Sequence, residues 1–215
     1  MQDVINQLTD TIRAAAASKM PLCIRGGGSK DFYGGPLRGA ALEVGGYRGI
    51  VDYDPTELVI TARAGTPLTE IEAVLREQGQ MLAFEPPHFG LVPSPLTPLP
   101  CTGEGNVVPA APEYKVATLG GCIAAGLSGP RRPYTGAARD FVLGIRMLDG
   151  AGNDLRFGGQ VMKNVAGFDV SRLMAGSLGT LGVILEVSLK MLPLPAVEIT
   201  LRLAQTAAEA IALAN

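Results

Sequence analysis

An α+β fold organised around glycine-rich loops is what this sequence predicts. Three observations carry the prediction. Apolar residues recur at helical spacing near the N-terminus, short apolar or alternating runs bounded by Gly and Pro follow, and glycines cluster at the ends of those runs. The 28 glycines among 215 residues are about twice the usual share. Glycine weakens helices and strands, so the excess belongs where backbone takes unusual dihedrals or approaches a ligand closely.

Val4, Ile5, Leu8, Ile12 and Ala15 predict a helix over residues 4–17, ended by Pro21, with a short buried strand at Leu22 to Arg25. The loop Gly26-Gly27-Gly28-Ser29 follows directly. Residues 41–44 and 57–63 read as strands. Residues 67–78 read as a helix capped by Thr66, with Pro67 at its first position and Leu68, Ile71, Val74 and Leu75 on one face. A strand over 80–84 then leads to Pro86-Pro87.

Residues 91–116 contain six prolines and no apolar period, the composition of an exposed loop. Beyond them, 118–127 is a helix-length segment of small residues. Residues 141–148 and 154–157 form a hairpin through the turn Asp149-Gly150-Ala151-Gly152-Asn153. A short helix over 170–175 precedes the third cluster, Gly176 to Gly182, which opens an apolar strand over 183–192 stopped by Pro193 and Pro195. Residues 199–203 resemble a strand and 205–214 an alanine-rich helix.

Charge and cysteine usage narrow the function classes. A net charge of -2 supplies no field for nucleic acid, and the arginine pair Arg131-Arg132 lacks interleaved aromatics. Three scattered cysteines, no C-x-x-C and a single histidine encode neither a disulfide framework nor a zinc site, so no metal is expected and a reducing, cytoplasmic compartment fits. Asp3 and Asp10 stand where a signal peptide would carry its basic and apolar regions. No apolar run reaches the roughly 20 residues that span a bilayer, so membrane association would come through a partner.

The glycine clusters carry the ligand argument. A strand followed by Arg25-Gly26-Gly27-Gly28-Ser29-Lys30 offers successive unsubstituted amides as a nest for phosphate oxygens, with a hydroxyl from Ser29 and a charge from Lys30. The bland alternative is an ordinary turn. The stretch from Thr118 through Gly120, Gly121 and Ser128 to Gly129 lacks bulk that would hold a cofactor away, although tight helix packing would select the same residues. Three such clusters together favour one extended ligand of dinucleotide shape. The signatures G-x-x-x-x-G-K-[ST], strand-linked G-x-G-x-x-G and G-x-S-x-G are absent, which leaves no P-loop, Rossmann or nucleophile-elbow site.

Residues 24–29, Ile-Arg-Gly-Gly-Gly-Ser, resemble the diphosphate loop of FAD-binding proteins of the vanillyl-alcohol oxidase and p-cresol methylhydroxylase type. The motifs at 53–62, 84–90, 128–133, 139–144 and 161–169 are similar to those of the glycolate oxidase E-subunit family. Two departures stand out: the segment 91–116 is inserted where the family passes almost directly to Gly120-Gly121, and the family continues into a further domain beyond the position of Asn215.

The resemblance implies a PCMH-type FAD-binding fold over 1–195. It would comprise α+β subdomains over about 1–85 and 117–195, with 196–215 beginning a further region. FAD would lie between them, its diphosphate on Arg25, Gly26, Gly27, Gly28 and Ser29 and on Thr118, Gly120, Gly121, Ser128 and Gly129. Pro86, Gly136, Asp140, Val142, Gly182 and Val183 would complete the wall, with Gly182 at the adenine side. The implied activity is oxidation of glycolate or a related 2-hydroxy acid, with electrons leaving through companion flavoprotein and iron-sulfur subunits. A noncatalytic assembly subunit is the competing reading, because no acid, base or substrate clamp emerges from the residues. His88 reads as a hydrogen-bonded loop residue in preference to a base or flavin anchor. Arg131 and Arg132 could bind a carboxylate or a partner subunit, but a pair flanked by prolines reads first as a solvated loop, and Lys163 and Asn164 carry no derivable role.

Overall fold

A computed structural model describes residues 2–36, 38–89, 115–159, 168–200, 202 and 204–214. Helix α1 (Gln2–Ser18) buries Ile5, Leu8, Ile12 and Ala15 on one face. It ends before Pro21, because Lys19 turns left-handed (φ 54°) and the Met20 amide donates back to the Ala15 carbonyl. Strands β1 (Leu22–Arg25) and β2 (Ala40–Glu43) pair in parallel, Leu22 opposite Ala40. Strand β1 is only half-buried throughout, where the sequence predicts a buried strand, because it forms part of a cavity wall.

Strands β3 (Ile50–Asp54) and β4 (Val59–Arg63) form an antiparallel hairpin. Strand β3 is missed by the sequence reading, since its face is largely exposed and carries two aspartates. The predicted strand 57–63 starts two residues late because Asp54 accepts hydrogen bonds from the Thr56 and Glu57 amides and Leu58 is left-handed (φ 57°). Helix α2 (Leu68–Glu77) buries Leu68, Ile71 and Leu75 as expected. Its cap is a correction: Pro67 holds the N-cap, and the Thr66 hydroxyl instead accepts from the Gly49 amide at 2.9 Å. Strand β5 (Gln80–Met81) is shorter than predicted, the chain leaving the sheet to seat Phe84 in the core.

Helix α3 (Leu119–Ala125) occupies the small-residue segment. Short helices α4 (Arg132–Thr135) and α5 (Ala138–Phe141) lead into the hairpin β6 (Val142–Leu148) and β7 (Asp154–Gly158). Asp149 closes that turn by accepting from the Ala151 and Asn153 amides. Helix α6 (Val170–Leu173) precedes β8 (Val183–Lys190), which ends short of the predicted residue 192 because Met191 breaks the ladder and donates to the Leu58 carbonyl. Strand β9 (Leu192–Pro193) pairs with β5, and helix α7 (Ala207–Ala214) follows. Ile199 and Thr200 form no strand, and Leu201 and Leu203 lie outside the described residues. The same holds for residues 91–114 of the predicted loop and for 161–167 of the family-like motif, including Lys163 and Asn164.

The central sheet runs β3-β4-β8-β6-β7, antiparallel at every pairing. The expected boundaries of about 1–85 and 117–195 cut through it between β4 and β8. Strand β8 is its axis: Leu185, Val187 and Leu189 are fully buried on the face covered by α3, and Thr61 and Ser188 share a buried hydrogen bond of 2.8 Å on the other. Glu186 ties that second face together by accepting from Arg146 and from the Tyr47 hydroxyl.

Because Leu185 lies at the centre of this core, Leu185→Ala is expected to destabilise the fold by about 2–5 kcal/mol. Urea denaturation followed by circular dichroism checks it, and a loss below about 1 kcal/mol would count against the central position of β8.

Candidate functional site: a glycine-walled cavity

Three glycine clusters far apart in sequence meet at one cavity of about 450 Å³. The end of β1 contributes Arg25, Gly26, Gly27, Gly28, Ser29, Lys30 and Asp31. The start of α3 contributes Thr118, Gly120 and Gly121, and the approach to β8 contributes Gly179 and Gly182. The backbone spacing here has no room for side chains. A β-carbon at Gly26 would stand 2.5 Å from the Thr118 hydroxyl oxygen, and one at Gly120 would stand 2.6 Å from the Ala64 β-carbon. At Gly27 it would overlap the Val116 carbonyl, whose own amide donates to the Gly27 carbonyl at 3.0 Å.

Helix α3 is sewn to the β4–α2 turn. The Leu119 amide donates to Thr66 and the Gly120 amide to Ala64, while Leu68 donates to Ala117. Val116 bridges Gly28 in parallel, so the end of the proline-rich segment joins the first glycine loop as an added rung. Gly182 (φ 145°) permits a close pass of Leu148 just before β8 begins.

Electrostatically the loop is held by Asp31. Its carboxylate accepts from Arg25 at 2.7 Å and pairs with Lys115 at 3.2 Å, and Arg25 also approaches Glu43 at 3.5 Å. The Arg25 hydrogen bond, with help from Lys115, holds the Asp31 carboxyl below the usual carboxylate range. The guanidinium lies beneath Gly28 (φ 67°), where a β-carbon would come within 2.8 Å of it. Burial lowers the Lys30 pKa, and its Nζ is closed off from solvent with no hydrogen-bond partner among the described residues. Cys122 of α3 is fully buried, which pushes its thiol up to about 12.

Of the sequence-predicted residues, Arg25, Gly26, Gly27, Gly28, Ser29, Thr118, Gly120, Gly121 and Gly182 line this cavity. Pro86, Ser128, Gly129, Gly136, Asp140, Val142 and Val183 do not. Most of those belong to a neighbouring corner. Gly129 donates to Phe84 and packs against Glu85, the Ser128 hydroxyl accepts from Ala138, and Asp140 accepts from Ala137 beside Gly136 (φ 103°). Glu85, left-handed at φ 47°, clasps the backbone and side chain of Arg131, which also pairs with Glu198. Arg131 is therefore engaged by carboxylates of this chain, in place of the solvated loop that its flanking prolines suggest. Pro86 is buried, and Val142 and Val183 are buried at opposite ends of the β6–β8 ladder. His88 pairs with Glu72 of α2 at 2.9 Å, a hydrogen-bonded loop residue as read.

The cavity also takes in residues the sequence reading passed over, notably Cys23, Asp31, Arg38, Ala64, Leu178 and Thr180. Only their position next to glycine clusters or in β1 could have signalled them.

Residues 3–92 match the family model of an FAD binding domain. This N-terminal part of the chain is therefore similar to FAD binding domains. It is 51% identical over 200 residues to glycolate oxidase subunit GlcE of Escherichia coli strain K12, covering 93% of this chain and 50% of that protein. It is 39% identical over 93 residues to glycolate oxidase subunit GlcD of Bacillus subtilis, covering 43% of this chain and 20% of that one. A solved structure of alkyldihydroxyacetonephosphate synthase superposes with a TM-score of 0.61 at 21% identity, over 89% of this chain and 33% of the other, a likeness of fold. This chain spans about half the length of the GlcE relative. No helix among the described residues is long and apolar enough to cross a membrane, and no group of His, Cys, Asp and Glu among them is placed to hold a metal.

Two outcomes are expected from this geometry. Gly27→Ala must push residues 115–118 away and should cost about 1–3 kcal/mol, read by chemical denaturation. An unchanged midpoint would show that the approach is slack. Asp31→Asn should cost about 1 kcal/mol at neutral pH. The depressed folded pKa means that Asp31 contributes fully above its unfolded value of about 3.9 and loses that contribution as pH falls through the lower folded value. The gap between variant and parent should therefore persist at neutral pH and close only in acid; a gap that closes near pH 6 would contradict the pairing.

Proposed function

We propose that this chain holds FAD in the glycine-walled cavity and forms part of a glycolate oxidase subunit, in an assembly that oxidises glycolate or a related 2-hydroxy acid to the 2-oxo acid. The observation that carries the reading is the convergence of Gly26–Ser29, Gly120-Gly121 and Gly179–Gly182 on one cavity, which suits the length of a dinucleotide. The residues present fit that ligand: backbone replaces side chains along the wall, and the buried Lys30 ammonium awaits an anionic partner. The FAD-binding family and the GlcE and GlcD likenesses support the same conclusion.

When bound, FAD supplies the acceptor for the hydride of the 2-hydroxy carbon. The chain's own residues do the holding. Arg25 through Ser29 and Thr118 through Gly121 would receive the diphosphate, Gly182 would admit the adenine side, and the backbone approach at Gly27 and Val116 would keep that end rigid. Pro86, Ser128, Gly129, Gly136 and Asp140 would support the flavin end from the neighbouring corner, with Val142 and Val183 buried behind the wall in the β6–β8 ladder. Electrons would pass to a companion flavoprotein and an iron-sulfur subunit, and any contact with the membrane would be made through them.

A noncatalytic assembly role is favoured by one observation: His88 and Arg131, the side chains best suited to act on a hydroxy acid, are both engaged by glutamates outside the cavity. The visible spectrum of the gently purified chain, with the released chromophore weighed, separates the readings. Flavin bands with about one equivalent of FAD are expected. Anaerobic bleaching on adding glycolate supports turnover, and persistent colour supports assembly; a folded, colourless chain that takes up no added FAD overturns the cofactor site.

A further inference from the structure

Three basic side chains line the cavity, and they differ in what neutralises them. Arg25 is held between Asp31 and Glu43, and Lys115 nearby shares Asp31. Arg38 is exposed to solvent. Lys30 differs from both: its Nζ is shut off from solvent and donates to no partner among the described residues. What faces it is the Phe89 ring, 5.9 Å from the ammonium to the centroid, and the Cys122 thiol of α3. That thiol stays protonated and supplies no negative charge, and Glu72 of α2, whose carboxylate acts on the thiol, is taken by His88. Asp31, the next residue along, is taken by Arg25 and Lys115.

An ammonium removed from water without a partner destabilises the free protein, and a hydrophobic stem of equal length would remove that cost. Its place beside three glycines suits an anion that arrives later. We propose that Lys30 sets the charge specificity of the cavity: its ammonium leaves the Phe89 face on ligand binding and pairs with a phosphate oxygen of the dinucleotide. The four-carbon stem allows that swing, while the Arg25 guanidinium is already paired with Asp31 and Glu43, leaving that residue its backbone to offer. The site then distinguishes FAD from an uncharged flavin by one group. This inference rests on the FAD reading above.

The experiment compares the chain and Lys30→Met, freed of nucleotide, by thermal melting and by titration with FAD, ADP and riboflavin. Lys30→Met is expected to melt higher than the parent when empty, by a few degrees. It should bind FAD and ADP about tenfold or more weakly, while riboflavin is held equally by both. Lys30→Gln should lose affinity in the same way and serves if the methionine variant associates. A parent chain that binds no FAD removes the cofactor reading and this inference with it. A parent that binds FAD while both variants match its affinity overturns the role of Lys30 alone, as does a variant that melts lower when empty.

Discussion

The structure depends on a place where two backbones run closer than a β-carbon allows. Gly26 and Gly27 at the end of β1 lie against Val116 and Thr118, and Gly120 lies against Ala64, so that the first glycine loop, the start of α3 and the end of β4 are locked in mutual contact. No side-chain interaction could hold three main chains so closely, because side chains occupy the space that the approach removes. The wall that results is made of peptide groups, which are polar, rigid and without bulk. That is the surface a diphosphate requires.

The rest of the fold keeps this contact in register. Strand β8 runs through the middle of the antiparallel sheet, and α3 packs on it and on β4. A shift of β8 would move Gly182 and Gly179 away from the loop at β1 and open the cavity. On the opposite face the Thr61–Ser188 hydrogen bond and the Glu186 contacts with Arg146 and Tyr47 fix the sheet's register from behind. Leu185, Val187 and Leu189 supply the apolar burial that holds the layers together.

Charge around the same loop is paired at every basic group but Lys30 and the exposed Arg38 among the described residues. Asp31 and Glu43 answer Arg25 and Lys115, which orients the arginine beneath Gly28 and leaves Lys30 as the loop's buried cation without a carboxylate among the described residues. Glu85 and Arg131 play the comparable part at the neighbouring corner, drawing together the family-like segments at 84–90 and 128–133. The likeness to a longer synthase structure is one of fold, and the match to GlcE spans half of that protein's length.

The sequence by itself determined the α+β class, the helices at α1 and α2, the β6–β7 hairpin and the three glycine clusters, because those follow from local periodicity, turn chemistry and the special freedom of glycine. It also carried the family likeness in its motifs. Tertiary structure decided the remainder. Strand β3 is a strand because β4 pairs with it, although its own residues Asp52 and Asp54 argue otherwise. Thr66 serves Gly49 instead of its helix, and Ile199 and Thr200 find no neighbouring strand. The division of the expected site into a cavity group and a corner group, and the different fates of Arg25 and Lys30, depend on which carboxylates come within reach. Such distances are set by packing between elements remote in the chain, and no local pattern of residues records them.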